Sequence, residues 1–216
     1  MAPAGKSTAR VYLAQALVNL DEAELLRLLV RINAAGTPWH EDDLALVNQL
    51  AVQGLAGVVV PKAESSAQLA HVWAHVDTVS NTGSCVRFPV VESAQGLGAL
   101  DELANSPGVL RLALGHLDLQ ADMGERCGAD EAELHLARFA LVAASRRAGL
   151  ASPVDGVTVA IADTARLQTD TARSRRFGFG AKLCIHTAQL ATVSEMFAPT
   201  SDQELQFEVM GNARSI

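Results

Sequence analysis

The sequence predicts an α/β fold of repeated strand–helix units around a buried parallel sheet. Three observations carry that expectation. Short apolar runs such as GVVV (57–60), FPVV (88–91) and VLRLAL (109–114) lack a clean in–out alternation, as strands covered on both faces do. Between the runs lie segments with Ala and Leu at helical spacing, so strand and helix alternate along the chain. Each run is cut short by Pro, Gly or a charged residue, the punctuation of a strand-to-helix loop.

The elements follow in order. Residues 7–20 read as a helix with Ser7 or Thr8 as its N-cap. A second helical piece over 21–27 runs into the strand LLVRIN, which ends at Arg31. After the loop 36–39, residues 41–52 form an amphipathic helix whose first turn carries Glu41, Asp42 and Asp43, where the helix dipole favours acids. A strand over 57–60 stops at Pro61, a helix spans 65–76, and the next strand spans 85–91. Residues 99–104 have helical composition and are broken by Asn105-Ser106-Pro107-Gly108, before the strand 109–114 closed by Gly115. The longest helix, 130–148, ends at Gly149. A strand at 156–161, a helix at 164–176, a strand at 183–185 ending at His186 and a last helix at 188–196 complete the series.

Composition limits the alternatives. Apolar residues make up 49% of 216 and charged ones 19%, so one packed domain is expected, and no Pro/Gly/Ser-rich linker divides it. A net charge of −7 argues against a general nucleic-acid surface, and the one basic cluster (Arg173, Arg175, Arg176) reads as a solvated helix face. Cys85, Cys127 and Cys184 form no CxxC pair and are odd in number, which points to reduced thiols in a cytoplasmic protein. The sequence shows no apolar stretch of membrane-spanning length and no signal-peptide pattern at its start. A closed eight-stranded barrel takes about 250 residues and two more strands than these six. An open doubly wound sheet fits six strands, but it usually carries a glycine-rich phosphate turn after its first strand. None is present, and the nearest candidate, Gly178-Phe179-Gly180-Ala181-Lys182, reads as a tight turn before a strand.

The strand ends carry the chemistry. Arg31, Lys62, Glu64, Glu92, Asp118, Lys182 and His186 all fall at or just past the C-terminal end of a strand, which is where parallel barrels place their sites. Glu92 and Asp118, with Gly96, Gly98 and Gly115 leaving room, suit a hard divalent cation that keeps several waters. The competing reading makes Glu92 a helix cap and leaves Asp118 in a solvated turn. Arg31 suits a substrate carboxylate, or else a structural ion pair with a neighbouring acid. Glu64 reads as structural, Lys62 as a bridge, and His186 as an acid–base group or a hydrogen-bonded structural one. His40, His71, His75, His116 and His135 show no ligand spacing in the sequence and read as structural, His116 least clearly because it lies in the Gly115–Asp118 turn.

Seven segments in order then carry a resemblance: VRIN (30–33), TPWHEDD (37–43), VVPKAES (59–65), PVVESAQGL (89–97), LALGHLDLQADMG (112–124), VDGVTV (154–159) and FGFGAKLCIHTAQ (177–189). Together they resemble the HpcH/HpaI aldolase and citrate lyase beta-subunit family, in its citrate lyase beta-like branch. The resemblance implies a TIM (β/α)8-type barrel, here incomplete with about six units corresponding to the third through eighth strands. It implies a barrel domain over 1–200 with a short tail at 201–216, and a homo-oligomer such as a trimer. It implies Mg²⁺ held by Glu92 and Asp118, with Arg31 binding the carboxylate of an oxo acid. The implied reaction cleaves or condenses a carbon–carbon bond between an acyl-thioester, often acyl-CoA, and a 2-oxo acid; some members hydrolyse the thioester. The sequence departs from the family pattern in three places. Its first residues resemble those following the second-strand Leu-Glu-Asp motif, His186-Thr187 replaces a His-Pro, and the C-terminal helical extension is short or missing. Two other readings follow: a non-catalytic truncated barrel, and a CoA-independent 2-oxo-acid aldolase. Neither the general base nor the substrate is legible.

Overall fold

The computed structural model describes residues 5–76 and 85–199. Its strands are β1 (Leu29–Arg31), β2 (Gly57–Val60), β3 (Val86–Val91), β4 (Ala113–Leu114), β5 (Val154–Asp155) and β6 (Ala181–Lys182). The helices are α1 (Lys6–Leu17), α2 (Glu22–Leu25), α3 (His40–Val52), α4 (Ser66–Val76), α5 (Ala94–Gly98), α6 (Leu100–Ala104), α7 (His116–Met123), α8 (His135–Arg147), α9 (Thr164–Phe177) and α10 (Leu190–Phe197). All strand pairs are parallel and their spatial order is β1-β2-β3-β4-β5-β6, the order of the chain. A doubly wound sheet would reverse its order at a switch point. This sheet never reverses, so it curls in one direction into an incomplete TIM-type barrel wall, as the resemblance implied. β1 and β6 each have one neighbour among the described strands.

The missing alternation has a structural cause. Val58, Val60, Val91, Leu112 and Leu114 pack into the main core with Leu44, Val47, Leu69, Leu103, Leu119 and Leu141 of the helices. Their neighbours in the strands, Val59, Phe88, Val90, Ala113, Val154 and Ala181, form a second, smaller cluster that also takes in Leu183. With both faces of the sheet covered by apolar contacts, every position along a strand selects for an apolar residue. Where strands approach closely, only glycine fits: a Cβ on Gly57 would lie 2.4 Å from the Val86 carbonyl oxygen.

Several boundaries moved. The β-branched run 156–161 is loop, and the strand is Val154–Asp155 just before it. Side-chain bonds replace the ladder there: the Thr158 hydroxyl donates to Asp170 (2.9 Å), and Gln189 donates to the Thr158 carbonyl (2.8 Å). Tertiary partners override strand propensity at this position. The last strand likewise sits at Ala181–Lys182 rather than 183–185, because it pairs with the two residues of β5. The run 109–114 is a strand only at its end, with one isolated bridge from Val109 to Arg87. The helix expected over 130–148 starts at His135, because Glu131 takes φ 50°, outside the helical region, on its way into a cluster of arginines. Asp118 is solvent-exposed, in the first turn of α7 rather than in a loop turn. Ser7 and Thr8 are inside α1, which begins after Gly5. The tail 201–216 lies outside the described residues. No helix among the described residues is long and apolar enough to cross a membrane.

Candidate active site

Three strand ends meet around one cavity of about 710 Å³. β1 ends at Arg31; β3 hands over to Glu92; β4 hands over to Gly115 and the first turn of α7, which carries Asp118. All three side chains line the cavity, together with Lys62 after β2. α1, the loop after β1 and the start of α3 supply the remaining polar wall, through Lys6, Arg10, Asn33, Thr37 and Asp43. Arg10 is already bonded to Asp42 (2.6 Å) and Asp43 (3.0 Å) at the start of α3. Lys6 donates to the Asn33 side chain.

Local geometry fixes Glu92. Ser93 caps α5, its hydroxyl accepting from the Gly96 amide at 3.2 Å, so the chain turns sharply just after Glu92. The Glu92 carboxylate is buried (4% exposed) and accepts the Lys62 backbone N–H at 2.9 Å. Lys62 holds φ 47° to present that N–H. A left-handed conformation costs a non-glycine residue about 1–2 kcal/mol, so the neighbourhood must hold it in place. A Cβ on Gly115 would lie 2.6 Å from Glu92 Oε2 and 2.7 Å from its Cβ. Glycine there is what lets β4 deliver α7, and with it Asp118, against Glu92.

The electrostatics of this corner are unbalanced. Burial pushes the Glu92 carboxyl above the ordinary range of glutamate. The Lys62 N–H and the Arg31 charge oppose that push, but Asp118 adds to it through its own charge and a shared hydrogen bond. Arg31 Nη2 lies 3.9 Å from Glu92 Oε2, beyond hydrogen-bond reach, and its side chain is 62% exposed. Among the described residues the Arg31 guanidinium makes no hydrogen bond. Two carboxylates are thus crowded together with one loose arginine as their cationic neighbour. A hard divalent cation with oxygen ligands fits that donor set, and its charge would relieve the repulsion.

The other strand-end residues go elsewhere. Glu64 accepts the Ser93 hydroxyl (2.7 Å), a supporting bond behind the site. His186 caps the short turn Thr187–Gln189, accepting the Ala188 amide at 3.1 Å. Lys182 is buried away from the cavity and donates to the Gly156 carbonyl at 2.6 Å; burial pushes its ammonium below the ordinary lysine range. It belongs to a second polar cluster in which Arg138 bonds Asp155 (3.3 Å), Arg173 bonds Glu131 (2.7 Å) and Arg166 bonds Asp170 (2.9 Å). Buried His116 packs against Gly156, where a Cβ would lie 2.0 Å from its Nδ1. Sequence reasoning missed Lys6, Arg10 and Asn33 as cavity wall. Nothing in the sequence says that α1 lies over the strand ends, so no signal could have found the first two; Asn33, two residues past Arg31, could have been suspected from its place.

Comparisons with known proteins identify the family. The HpcH/HpaI aldolase/citrate lyase family model matches residues 1–187. A citrate lyase subunit beta-like protein from Deinococcus radiodurans is 32% identical over 178 residues, covering 81% of this chain and 59% of that protein. An L-malyl-CoA/beta-methylmalyl-CoA lyase from Cereibacter sphaeroides is 31% identical over 223 residues, covering 93% of this chain and 69% of that enzyme. The crystal structure of CitE from Mycobacterium tuberculosis in complex with magnesium, acetoacetate and coenzyme A is 27% identical, with a TM-score of 0.75 over 100% of this chain and 76% of that one. The chain therefore spans between about three-fifths and three-quarters of these proteins, and it belongs to the HpcH/HpaI aldolase/citrate lyase family.

Proposed function

We propose that this chain is a Mg²⁺-dependent carbon–carbon lyase of the citrate lyase beta-like type, acting on an acyl-CoA thioester and a 2-oxo acid. The observation that carries the reading is buried Glu92 beside the exposed Asp118 in one cavity with Arg31, whose paired donors are uncommitted. Glu92 and Asp118 would hold the cation by carboxylate oxygens. When bound, the cation supplies Lewis acidity toward the substrate oxygens. Arg31 holds the substrate carboxylate with a two-pronged grip and so fixes which face reacts. Lys62 adds positive potential at the same wall, drawing in an anionic acid. Among the described strands the outer edges of β1 and β6 are unpaired and present ladder groups that association would cover, in keeping with a homo-oligomer.

The deciding assay supplies malyl-CoA with Mg²⁺ and measures glyoxylate, acetyl-CoA and free CoA separately. A lyase yields glyoxylate and acetyl-CoA in equal amounts, and Glu92→Ala or Asp118→Ala abolishes both. Malate and free CoA without glyoxylate would replace cleavage by thioester hydrolysis. Glyoxylate-dependent turnover without any thioester would favour the CoA-independent aldolase, and no turnover with Mg²⁺ bound would leave the non-catalytic barrel.

A further inference from the structure

His40, Glu41 and His71 come together between the first turn of α3 and the middle of α4, although 30 residues separate His71 from Glu41. One ligand atom from each lies within 4.8 Å of the others. We propose that these three side chains form a second cation site, specific for a borderline divalent transition ion of the zinc type and distinct from the carboxylate pair at the barrel mouth. It does not rest on the lyase reading.

Each side chain is prepared for the role in a different way. His40 is buried, and its Nδ1 lies 2.8 Å from the Asn33 carbonyl, a pure acceptor. That bond fixes the proton on Nδ1 and leaves the lone pair on Nε2, as the partner of a metal-bound histidine does. His71 Nε2 and Glu41 Oε1 are 3.1 Å apart and their side chains are 48% and 68% exposed, so both can shift to close a coordination shell. Ligands at about 2.0–2.1 Å on a tetrahedral zinc lie about 3.3 Å from one another. The His71–Glu41 spacing is already near that value, and movement of these two exposed side chains would close the wider spacing to His40, within 4.8 Å. The His40 and His71 rings are stacked with centroids 6.0 Å apart, and His75, one turn along α4, meets His71 edge-on at 4.8 Å.

The charge balance favours a cation at a place where a bare helix would oppose it. A helix N-terminus repels positive charge, but the first turn of α3 carries Glu41, Asp42 and Asp43. Arg10 engages Asp42 and Asp43, whereas the partner of Glu41 is His71. Two imidazoles and one carboxylate suit zinc; magnesium asks for oxygen ligands and leaves imidazole alone. Three protein ligands leave one position for water. A cation here would pin α3 to α4 and, through His40 and Asn33, stiffen one wall of the cavity.

The test uses the untagged full chain with Cys127 and Cys184 changed to serine, which removes competing accessible thiols. Zinc is titrated calorimetrically in excess Mg²⁺, and Co²⁺ is used as a spectroscopic substitute. The expected result is one zinc site per chain, at least tenfold weaker in His71→Ala, weakened in Glu41→Gln, and unchanged in Glu92→Ala. The visible absorption of tetrahedral Co²⁺ should appear in the parent and vanish in His71→Ala. Because His71 is half exposed, that variant keeps its fold, which circular dichroism verifies. Absence of zinc binding in the parent, or equal affinity and stoichiometry in His71→Ala, would overturn the proposal.

Discussion

Glu92 and Asp155 hold comparable places, one just past the end of β3 and the other closing β5, and both are buried. Their surroundings treat negative charge in opposite ways. Around Asp155 the protein supplies its own countercharge: three carboxylates (Glu131, Asp155, Asp170) face Arg138, Arg166, Arg173 and Lys182. Asp155 also accepts the Ser174 hydroxyl and the Gly156 amide (2.8 Å). Burial would raise Asp170, but bonds from Arg166 and Thr158 and the charge of Arg173 carry it below the ordinary aspartate range. Around Glu92 burial and Asp118 prevail, and the carboxyl is raised. A buried carboxylate answered by fixed arginines is part of the scaffold; one left crowded beside a cavity is suited to an arriving cation.

The contrast is most sharply tested by removing charge from each side. Asp155→Asn removes one of the two carboxylates that answer buried Arg138, leaving only Glu131, and should cost up to about 3–5 kcal/mol, read from urea unfolding. Glu92→Gln, measured without divalent cation, should leave stability unchanged or raise it, because it removes a buried charge and its repulsion with Asp118. Equal losses in the two variants would erase the distinction.

Arg31→Lys keeps the charge at the cavity and loses the fork. Binding of oxaloacetate, glyoxylate or pyruvate with Mg²⁺ present should weaken by about ten- to a hundredfold, the worth of roughly 1.5–3 kcal/mol. Mg²⁺ binding itself should hardly change. Equal oxo-acid affinity would return Arg31 to an ion-pair role with Glu92.

Gly115→Ala tests the close approach that brings Asp118 to Glu92. The added methyl overlaps the Glu92 side chain and should cost about 1–3 kcal/mol. Calorimetry should show weaker Mg²⁺ binding. A variant that binds Mg²⁺ as tightly as the parent would mean the carboxylates need not be held so close.

The smallest effect is a pH slope. The folded-state value of Asp170 is depressed, so its stabilisation is present above the unfolded aspartate value of about 3.9 and is lost as pH falls through the folded one. Asp170→Asn should be less stable near neutrality and show a flatter loss of stability in acid. Parallel acid profiles for parent and variant would show that the arginine cluster does not hold Asp170 ionised.

The sequence by itself determined the rhythm of six strand–helix units and the residues that close β1 and β3. Those features are local: burial on both faces makes strands uniformly apolar, and a strand ends where the apolar run meets a charge or a turn. The ordered motifs extended this to the family and its barrel. Other features were set only by the tertiary structure. The lengths of β4, β5 and β6 depend on their neighbours, and the β-branched run after Asp155 became loop because Thr158 found partners on α9 and in Gln189. Which strand-end charges share a cavity is likewise a matter of folding: Lys62 lines the same cavity as Glu92, whereas Lys182 turns into the arginine cluster. The histidines of α3 and α4 had no ligand spacing along the chain, because the distance between His40 and His71 is set by two neighbouring helices packing on each other. Chain order fixes local pattern, but charge acts through space, and only the packed fold settles which charges are answered.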